Sequence, residues 1–454
     1  MSVVTRHPRS ALTLRSSTLL LCLLACSMFA LLVGGLRPII PLSELGGELW
    51  TYFALPFIVA AVSLAIRPRR FYAPSTKRLI AIHLPFFAVG MAVSIINLPL
   101  VLGDGLPKFS GAVVVYLFSF FYAAGVTSFL DRRGLWEGLL EISKIATKVG
   151  WLAVAIGSFE LAGWFLPPAR EALVSLKSLY SVRPQGELAR LTGLTYEPSY
   201  FAAVLICLIP WIVYYRSVTR SRSALLLLVS IFAIGLIGGA RTALVGYTAI
   251  LCAISFSAIF GGMRFYRVLV MVFVVTLMVI GPIIPFIIYD SLSIQSSVSD
   301  ITRSSFASAA VTAGLHEPFG HGIGQANATA LQYYQPSGYS SWEIDAFLLG
   351  VKSYLPPVYS WYGRVIAEAG IIGYICLCAL LLSVLYRCGR LARRHAINSN
   401  LYRVVFCSLT SFLAIGLSTE TFRDFSWLTF LITSSALLAS GQQPQVNSRA
   451  EINQ

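Results

Sequence analysis

Charge is what this sequence has least of. Only 12% of its 454 residues are Asp, Glu, Lys or Arg, against 57% hydrophobic, and the mean hydropathy is +0.76. Soluble domains carry about 25% charged residues, so a soluble globule is excluded and a polytopic membrane protein is implied. Alternation of apolar and polar residues is missing too. The apolar runs are continuous over about 17 to 24 residues, whereas a transmembrane β-barrel would alternate over about 10 residues per strand. The expected fold is all-α. Cysteine and histidine do not cluster: Cys22, Cys26, Cys207, Cys252, Cys376, Cys378, Cys388 and Cys407 lie in apolar runs or at their basic ends. That placement argues against a disulfide framework or a Cys/His metal site, and no metal or other cofactor is expected. The formal net charge of +15 is not gathered into one basic patch. Lys and Arg stand in short groups between apolar runs, which is a topology signal and not a nucleic-acid footprint.

Those runs predict about twelve transmembrane helices, at residues 17–33, 47–66, 79–102, 109–130, 149–166, 199–215, 223–238, 242–260, 268–289, 365–386, 401–417 and 425–440. The expected organisation is a cytoplasmic N-terminus (1–16), one transmembrane domain (17–440) and a polar cytoplasmic tail (441–454). Arg6, Arg9 and Arg15 before the first run resemble a signal peptide, but no small-x-small cleavage site follows, so the first helix is expected to remain. With both termini inside, most Lys and Arg fall on the cytoplasmic side, as the positive-inside rule requires. Residues 135–148 place Leu135, Leu139, Ile142 and Ala146 on one helical face and read as an interfacial helix lying on the membrane.

Two outer loops are long, 167–198 and 290–364, and the second is large enough to carry helices and cover a cavity. Its Tyr333, Tyr334, Tyr339, Trp342, Tyr354, Tyr359, Trp361 and Tyr362 suit stacking on sugar faces or a membrane-interface belt. Cations on this side run against topology and call for an anionic ligand: Arg183, Arg190, Arg241, Arg303, Lys352, Arg364 and Arg423. Ordinary loop solubility accounts for Arg37, Lys108, Arg170 and Lys177.

The densest candidate stretch is Arg190-Leu-Thr-Gly-Leu-Thr-Tyr-Glu197-Pro-Ser-Tyr200-Phe-Ala202, running into an apolar segment. Ionisable groups at a bilayer entry point are functional candidates, with an ion pair at a helix mouth as the structural alternative. Gly238-Gly-Ala-Arg241 occupies a tight hairpin where a guanidinium can reach a diphosphate. His321 lies among Gly320, Gly322 and Gly324, where backbone allows close ligand approach.

Four motifs occur in an order seen in a known family: Arg190 to Ala202, Ala240-Arg241-Thr-Ala-Leu244, Glu317-Pro-Phe-Gly-His-Gly-Ile-Gly324, and Ile366-Ala-Glu368-Ala-Gly-Ile-Ile-Gly373. The chain resembles bacterial O-antigen and exopolysaccharide polymerases of the Wzy type, in the O-antigen polymerase and ligase superfamily. The resemblance implies an architecture similar to GT-C-like membrane glycosyltransferases that use polyprenyl phosphates, in the bacterial inner membrane. It implies metal-independent transfer of a glycan from undecaprenyl diphosphate to a lipid-linked repeat unit at the periplasmic face, with a chain-length regulator and a flippase as partners. In that chemistry arginines would stabilise charge developing on the leaving diphosphate. Arg241 and Arg190 are the first candidates and Arg364 and Arg183 follow. Glu197 would accept the proton of the attacking hydroxyl or position the acceptor, His321 is a second candidate for a direct role, and Tyr200 lies one turn beyond Glu197 as a substrate contact. If Glu197 is structural instead, it is expected to hold Arg190 or Arg241. Ligases of this superfamily carry a His-Asn pair where this chain reads Val358-Tyr-Ser-Trp-Tyr-Gly-Arg364, which favours a polymerase. A ligase acting on lipid A core and a lipid-linked-oligosaccharide flippase are the alternatives. The flippase is disfavoured because the apolar runs are nearly free of charge, Glu160 being the main exception, and no internal repeat is evident.

Overall fold

A chain in lipid has no water to satisfy its N–H and C=O groups, so long apolar runs are expected to close their hydrogen bonds within themselves as helices. The computed structural model describes residues 11–34, 49–65, 74–97, 106–181, 190–195, 197–239, 245–251, 263–291, 298–335, 341–351, 355–392, 396–417 and 425–440. They are helical almost throughout, as α1 (Ala11–Ala30), α2 (Leu49–Ala65), α3 (Pro74–Ile96), α4 (Leu106–Arg133), α5 (Leu135–Gly163), α6 (Pro167–Ser178), α7 (Pro198–Thr219) and α8 (Arg222–Ile237). The second half holds α9 (Met263–Ile280), α10 (Ile284–Asp290), α11 (Val298–His316), α12 (Ala326–Gln332), α13 (Trp342–Leu348), α14 (Trp361–Ala392), α15 (Ala396–Ile415) and α16 (Phe425–Ser440).

Among the described residues, Pro74–Ile96, Lys108–Arg133, Pro198–Thr219 and Trp361–Ala392 are each long and apolar enough to cross a membrane. Tyr266–Ile280 and Ile284–Asp290, bent by 49°, make a fifth if they form one span. Outward faces are apolar as well. Val268, Val272, Val275 and Val279 of α9 form an exposed stripe at helical spacing, as do Leu225, Leu226, Val229 and Leu236 of α8. Exposed apolar surface on this scale belongs against lipid. Inside, small hydroxyl residues lie between helices, among them Ser408, Ser411, Ser426, Thr429 and Thr433, and Trp211 Nε1 donates to Thr429 Oγ1 at 3.0 Å. Small side chains let helix backbones approach where no hydrophobic drive separates protein from solvent.

The interfacial helix expected at 135–148 is instead the first half of α5, which continues unbroken to Gly163. Leu139, Ile142 and Ala146 are fully or nearly fully buried in the main core, because α5 packs on α4, α7 and α8 and not on a membrane surface. The turn from α4 is made at Gly134, φ 101°, and Arg133 bridges Glu137 at 3.3 Å and Glu141 at 2.6 Å across it.

The long stretch after α10 is a helical layer. α11 lies along α14, and Phe306, Ala310, Ala330, Ile344, Val358 and Ala367 form a second core that ties α11, α12 and α13 to it. Trp361 and Tyr362, expected to face sugars or the membrane interface, are buried. Trp361 packs edge-on against Phe412 at 4.9 Å, and the Tyr362 hydroxyl donates to Leu413 O at 2.9 Å, so both belong to the packing of α14 on α15.

Candidate functional site

The 190–195 segment is held by a buried carboxylate. Glu160 of α5 accepts from Thr192 N at 2.9 Å, Thr192 Oγ1 at 2.7 Å and Gly193 N at 2.6 Å. Gly193 has φ 56°, and a Cβ there would stand 2.5 Å from the Phe201 ring, so the turn that aims two successive N–H groups at Glu160 requires glycine. Lys177 of α6 completes the cluster. Its ammonium donates to Thr192 Oγ1 and lies 3.6 Å from Glu160. This corrects the reading of Lys177 as a solvating loop residue: it is 2% exposed. Burial pulls its pKa below the usual lysine value, and the Glu160 charge opposes that shift. Tyr180, whose hydroxyl is pushed up to about 12 by burial and by Glu160, donates to Leu194 O at 2.8 Å. Leu194 also pairs with Val33 at the end of α1.

The same segment meets the Gly238-Gly239 turn at the end of α8. Leu191 N donates to Gly238 O at 3.4 Å and the Arg190 guanidinium reaches Gly239 O at 3.5 Å. The first motif thereby meets the turn that precedes the second motif, whose own residues 240–244 lie outside the described ones. Arg241 and Arg183 lie outside the described residues.

Glu197 is the extended residue before Pro198, which begins α7, and its carboxylate does not cap that helix. It accepts from Ser199 Oγ at 3.3 Å and lies 3.9 Å from a terminal nitrogen of Arg303. An ion pair that the sequence reading did not foresee joins it to Arg303 of α11, more than a hundred residues along the chain, while Arg241, one of the two partners suggested by the sequence, lies outside the described residues. Arg303 in turn sits over the Tyr359 ring, 5.1 Å from its centroid. Tyr359 is held at φ 57°, a left-handed conformation that costs a bulky residue about 1–3 kcal/mol. Its hydroxyl is raised in pKa by burial and next by the charge of Glu343 of α13, with Glu197 and Tyr200 acting in the same direction and Arg303 against them. Glu197 and Arg303 are both about one-third exposed, at 29% and 32%. The Arg303 Nε is buried without a hydrogen-bond partner.

The third and fourth motifs dock directly. His321 N donates to Ala367 O at 3.0 Å, Gly322 N to Glu368 O at 2.9 Å, and Gly324 N to the Glu368 carboxylate at 2.9 Å. This is possible because α14 breaks at Gly370, φ 70° and ψ 174°, which frees carbonyls for the loop. A Cβ at Gly370 would stand 2.0 Å from Pro318 O. Gly370→Ala is therefore expected to destabilise the protein by about 3 kcal/mol or more, read as a lower unfolding midpoint in detergent. An unchanged midpoint would remove the docking argument.

Arg364 is engaged within this joint, its Nε donating to Glu368 at 3.0 Å. The pair borders a cavity of about 130 Å³ that is otherwise walled by apolar residues of α3, α4 and α14, such as Phe87, Ala112, Val365 and Leu377. His321 presents a buried Nδ1 with no hydrogen-bond partner, while His316 stacks on Tyr333 at 5.4 Å. Tyr339 and Tyr354 lie outside the described residues, and Trp342 is 60% exposed. Among the described residues, no three of His, Cys, Asp and Glu converge as a metal set would.

Glu343, the contact of Tyr359 with Arg303 and the pairing of Glu160 with Lys177 escaped sequence reasoning. Their partners lie far off in the chain, and the one available signal was charge where apolar runs disfavour it, as at Glu160. Compared with known proteins, the chain matches no family model and no curated protein.

Proposed function

We propose that the chain is a membrane-embedded polysaccharide polymerase that lengthens a glycan on undecaprenyl diphosphate by transferring it to a lipid-linked repeat unit. In this reading it crosses the bacterial inner membrane about twelve times in a GT-C-like arrangement, both termini are cytoplasmic, and the site faces the periplasm. A flippase supplies the repeat unit and a chain-length regulator acts on the product.

The observation that carries the reading is the partly exposed Glu197, held by Arg303 over Tyr359 at the start of α7, a few residues from Arg190. A hydroxyl of the acceptor sugar attacks the donor's anomeric carbon, the bond from that carbon to the diphosphate oxygen breaks, and undecaprenyl diphosphate departs. Glu197 takes the hydroxyl proton. Arg190, with Arg241 beyond the Gly238-Gly239 turn, meets the negative charge growing on the leaving oxygens. Arg303 acts through Glu197 by fixing its carboxylate. Arg364 and His321 support the loop that closes on α14, and Tyr200 lines the acceptor side.

The experiment is the size distribution of lipid-linked glycan in cells lacking the chain. Single repeats accumulating on the periplasmic side, with long chains lost, are expected. Long chains that persist on undecaprenyl diphosphate would make it a ligase, and single repeats held on the cytoplasmic side a flippase. Within the polymerase, Arg303→Ala is expected to lower polymer yield about tenfold, and Arg303→Lys to restore part of it, since lysine keeps the charge and loses the planar stack on Tyr359. Equal yields from both variants and wild type would free Arg303 of this role.

A further inference from the structure

At Gly389, in the last turns of α14, that helix meets both α9 and α15. A Cβ there would stand 2.8 Å from Arg267 Cδ of α9 and 3.2 Å from the Tyr402 hydroxyl of α15. The Arg267 guanidinium donates to Gly389 O at 3.3 Å, and the Tyr266 ring meets Tyr402 edge-on at 6.3 Å and Phe406 at 6.1 Å. Tyr266 therefore lies along the 402–406 ridge of α15, and Arg403, next to Tyr402 and one turn from Phe406, stands at its side. Three donors at this junction lack an acceptor. Among the described residues, the hydroxyls of Tyr266 and Tyr402 and Arg403 Nε are buried with no hydrogen-bond partner, and the two tyrosines are 2% and 0% exposed. A buried donor left unmatched carries its full desolvation penalty, so three of them together point to a ligand that accepts.

The helices packed here bring no carboxylate to meet them. α7, α9, α15 and α16 contain no Asp or Glu, and that of α14 is Glu368, about 30 Å away along the helix. Arginine gathers instead: Arg403 is partly exposed, and Arg387 and Arg390, both exposed, flank Gly389. A topology bias accounts for arginine at a helix end, but not for buried hydroxyls beside it. One residue past Arg267 begins the exposed stripe Val268, Val272, Val275 and Val279 of α9. It runs about 16 Å, the depth of one leaflet's hydrocarbon.

We propose that Tyr266, Tyr402 and Arg403 bind the phosphate of an anionic phospholipid, whose chains lie along the valine stripe of α9. Phosphate oxygens are charged acceptors able to serve all three donors, and arginine-rich pockets between membrane helices suit such headgroups. The valine stripe favours a lipid over a free phosphate as their source. The site stands at the opposite end of α14 from Glu368 and does not depend on the polymerase reading.

The test titrates full-length protein in dodecyl maltoside with dioleoyl phosphatidylglycerol, dioleoyl phosphatidylcholine or sodium phosphate. Native mass spectrometry counts retained lipid, and the unfolding midpoint is read alongside. Phosphatidylglycerol is expected to bind at least about fivefold more tightly than phosphatidylcholine, whose choline cation the arginines repel. Tyr402→Phe deletes one hydroxyl. It is expected to leave the lipid-free midpoint unchanged or higher, because an unmatched buried donor is gone, and to weaken phosphatidylglycerol binding about tenfold. Arg403→Gln, on a partly exposed residue, is expected to weaken it about fivefold and carries the test if Tyr402→Phe folds poorly. Equal affinity for the two lipids in wild type overturns the proposal, and so does undiminished phosphatidylglycerol binding in both variants. Sodium phosphate raising the midpoint as far as phosphatidylglycerol would make the ligand a soluble phosphate and overturn the lipid assignment.

Discussion

Cells whose only copy carries Glu197→Gln are expected to trap single lipid-linked repeats and to lose polymer by about 10²- to 10⁴-fold, the span over which a positioned general base acts. The substitution keeps the side chain's size and one acceptor oxygen, and removes the charge and the ability to take a proton. Glu197 is 29% exposed and does not cap α7, so folding has little reason to suffer. Membrane-extracted protein should therefore match wild type in amount and in unfolding midpoint. Loss of polymer with loss of protein would return Glu197 to a structural role, and polymer at wild-type level would end its candidacy altogether. Ser199→Ala, which removes the 3.3 Å donor to the same carboxylate, is expected to act in the same direction but by less than tenfold, since it leaves the Arg303 contact in place.

The second large effect is on stability. Glu160→Ala removes an acceptor of three hydrogen bonds at 2.6 to 2.9 Å and strands the Lys177 ammonium in a site where it is 2% exposed. Breaking a buried pair by deleting one partner costs about 3–5 kcal/mol, chiefly because the remaining charge is uncompensated. Unfolding in detergent should show that loss. Glu160→Ala with Lys177→Met should recover part of it, because the double variant buries no charge, although the Thr192 and Gly193 N–H groups stay unsatisfied. If the double variant is no more stable than Glu160→Ala alone, the ion pair is not what holds the 190–195 segment.

These two carboxylates were legible to different degrees. Glu197 announced itself by standing at the mouth of an apolar run, and Glu160 by standing inside one. Neither position says what the carboxylate touches. Glu197 meets Arg303, because α11 folds back along α14 and carries its arginine to the start of α7, a partner that no local pattern indicates. Residues 135–148 show the converse error. Their apolar face is as well suited to a membrane surface as to a neighbouring helix, and only the presence of α4, α7 and α8 beside it decides between them. Trp361 and Tyr362 failed in the same manner, since an aromatic side chain fills a core and stacks on a sugar by the same apolar face.

The sequence by itself determined that the chain is helical and apolar enough for a membrane, because hydropathy and run length are local quantities that need no partner. It also determined where unusual charge and flexible backbone lie, down to the four motifs. The tertiary structure alone decided that 190–195 meets the Gly238-Gly239 turn and that 317–324 docks on the broken α14. It alone decided that Glu160 clasps Lys177 and that Arg303 joins Glu197 to Tyr359. Ion pairs and hydrogen bonds act over a few ångströms in space and are indifferent to separation along the chain, so no pattern of spacing could have specified them.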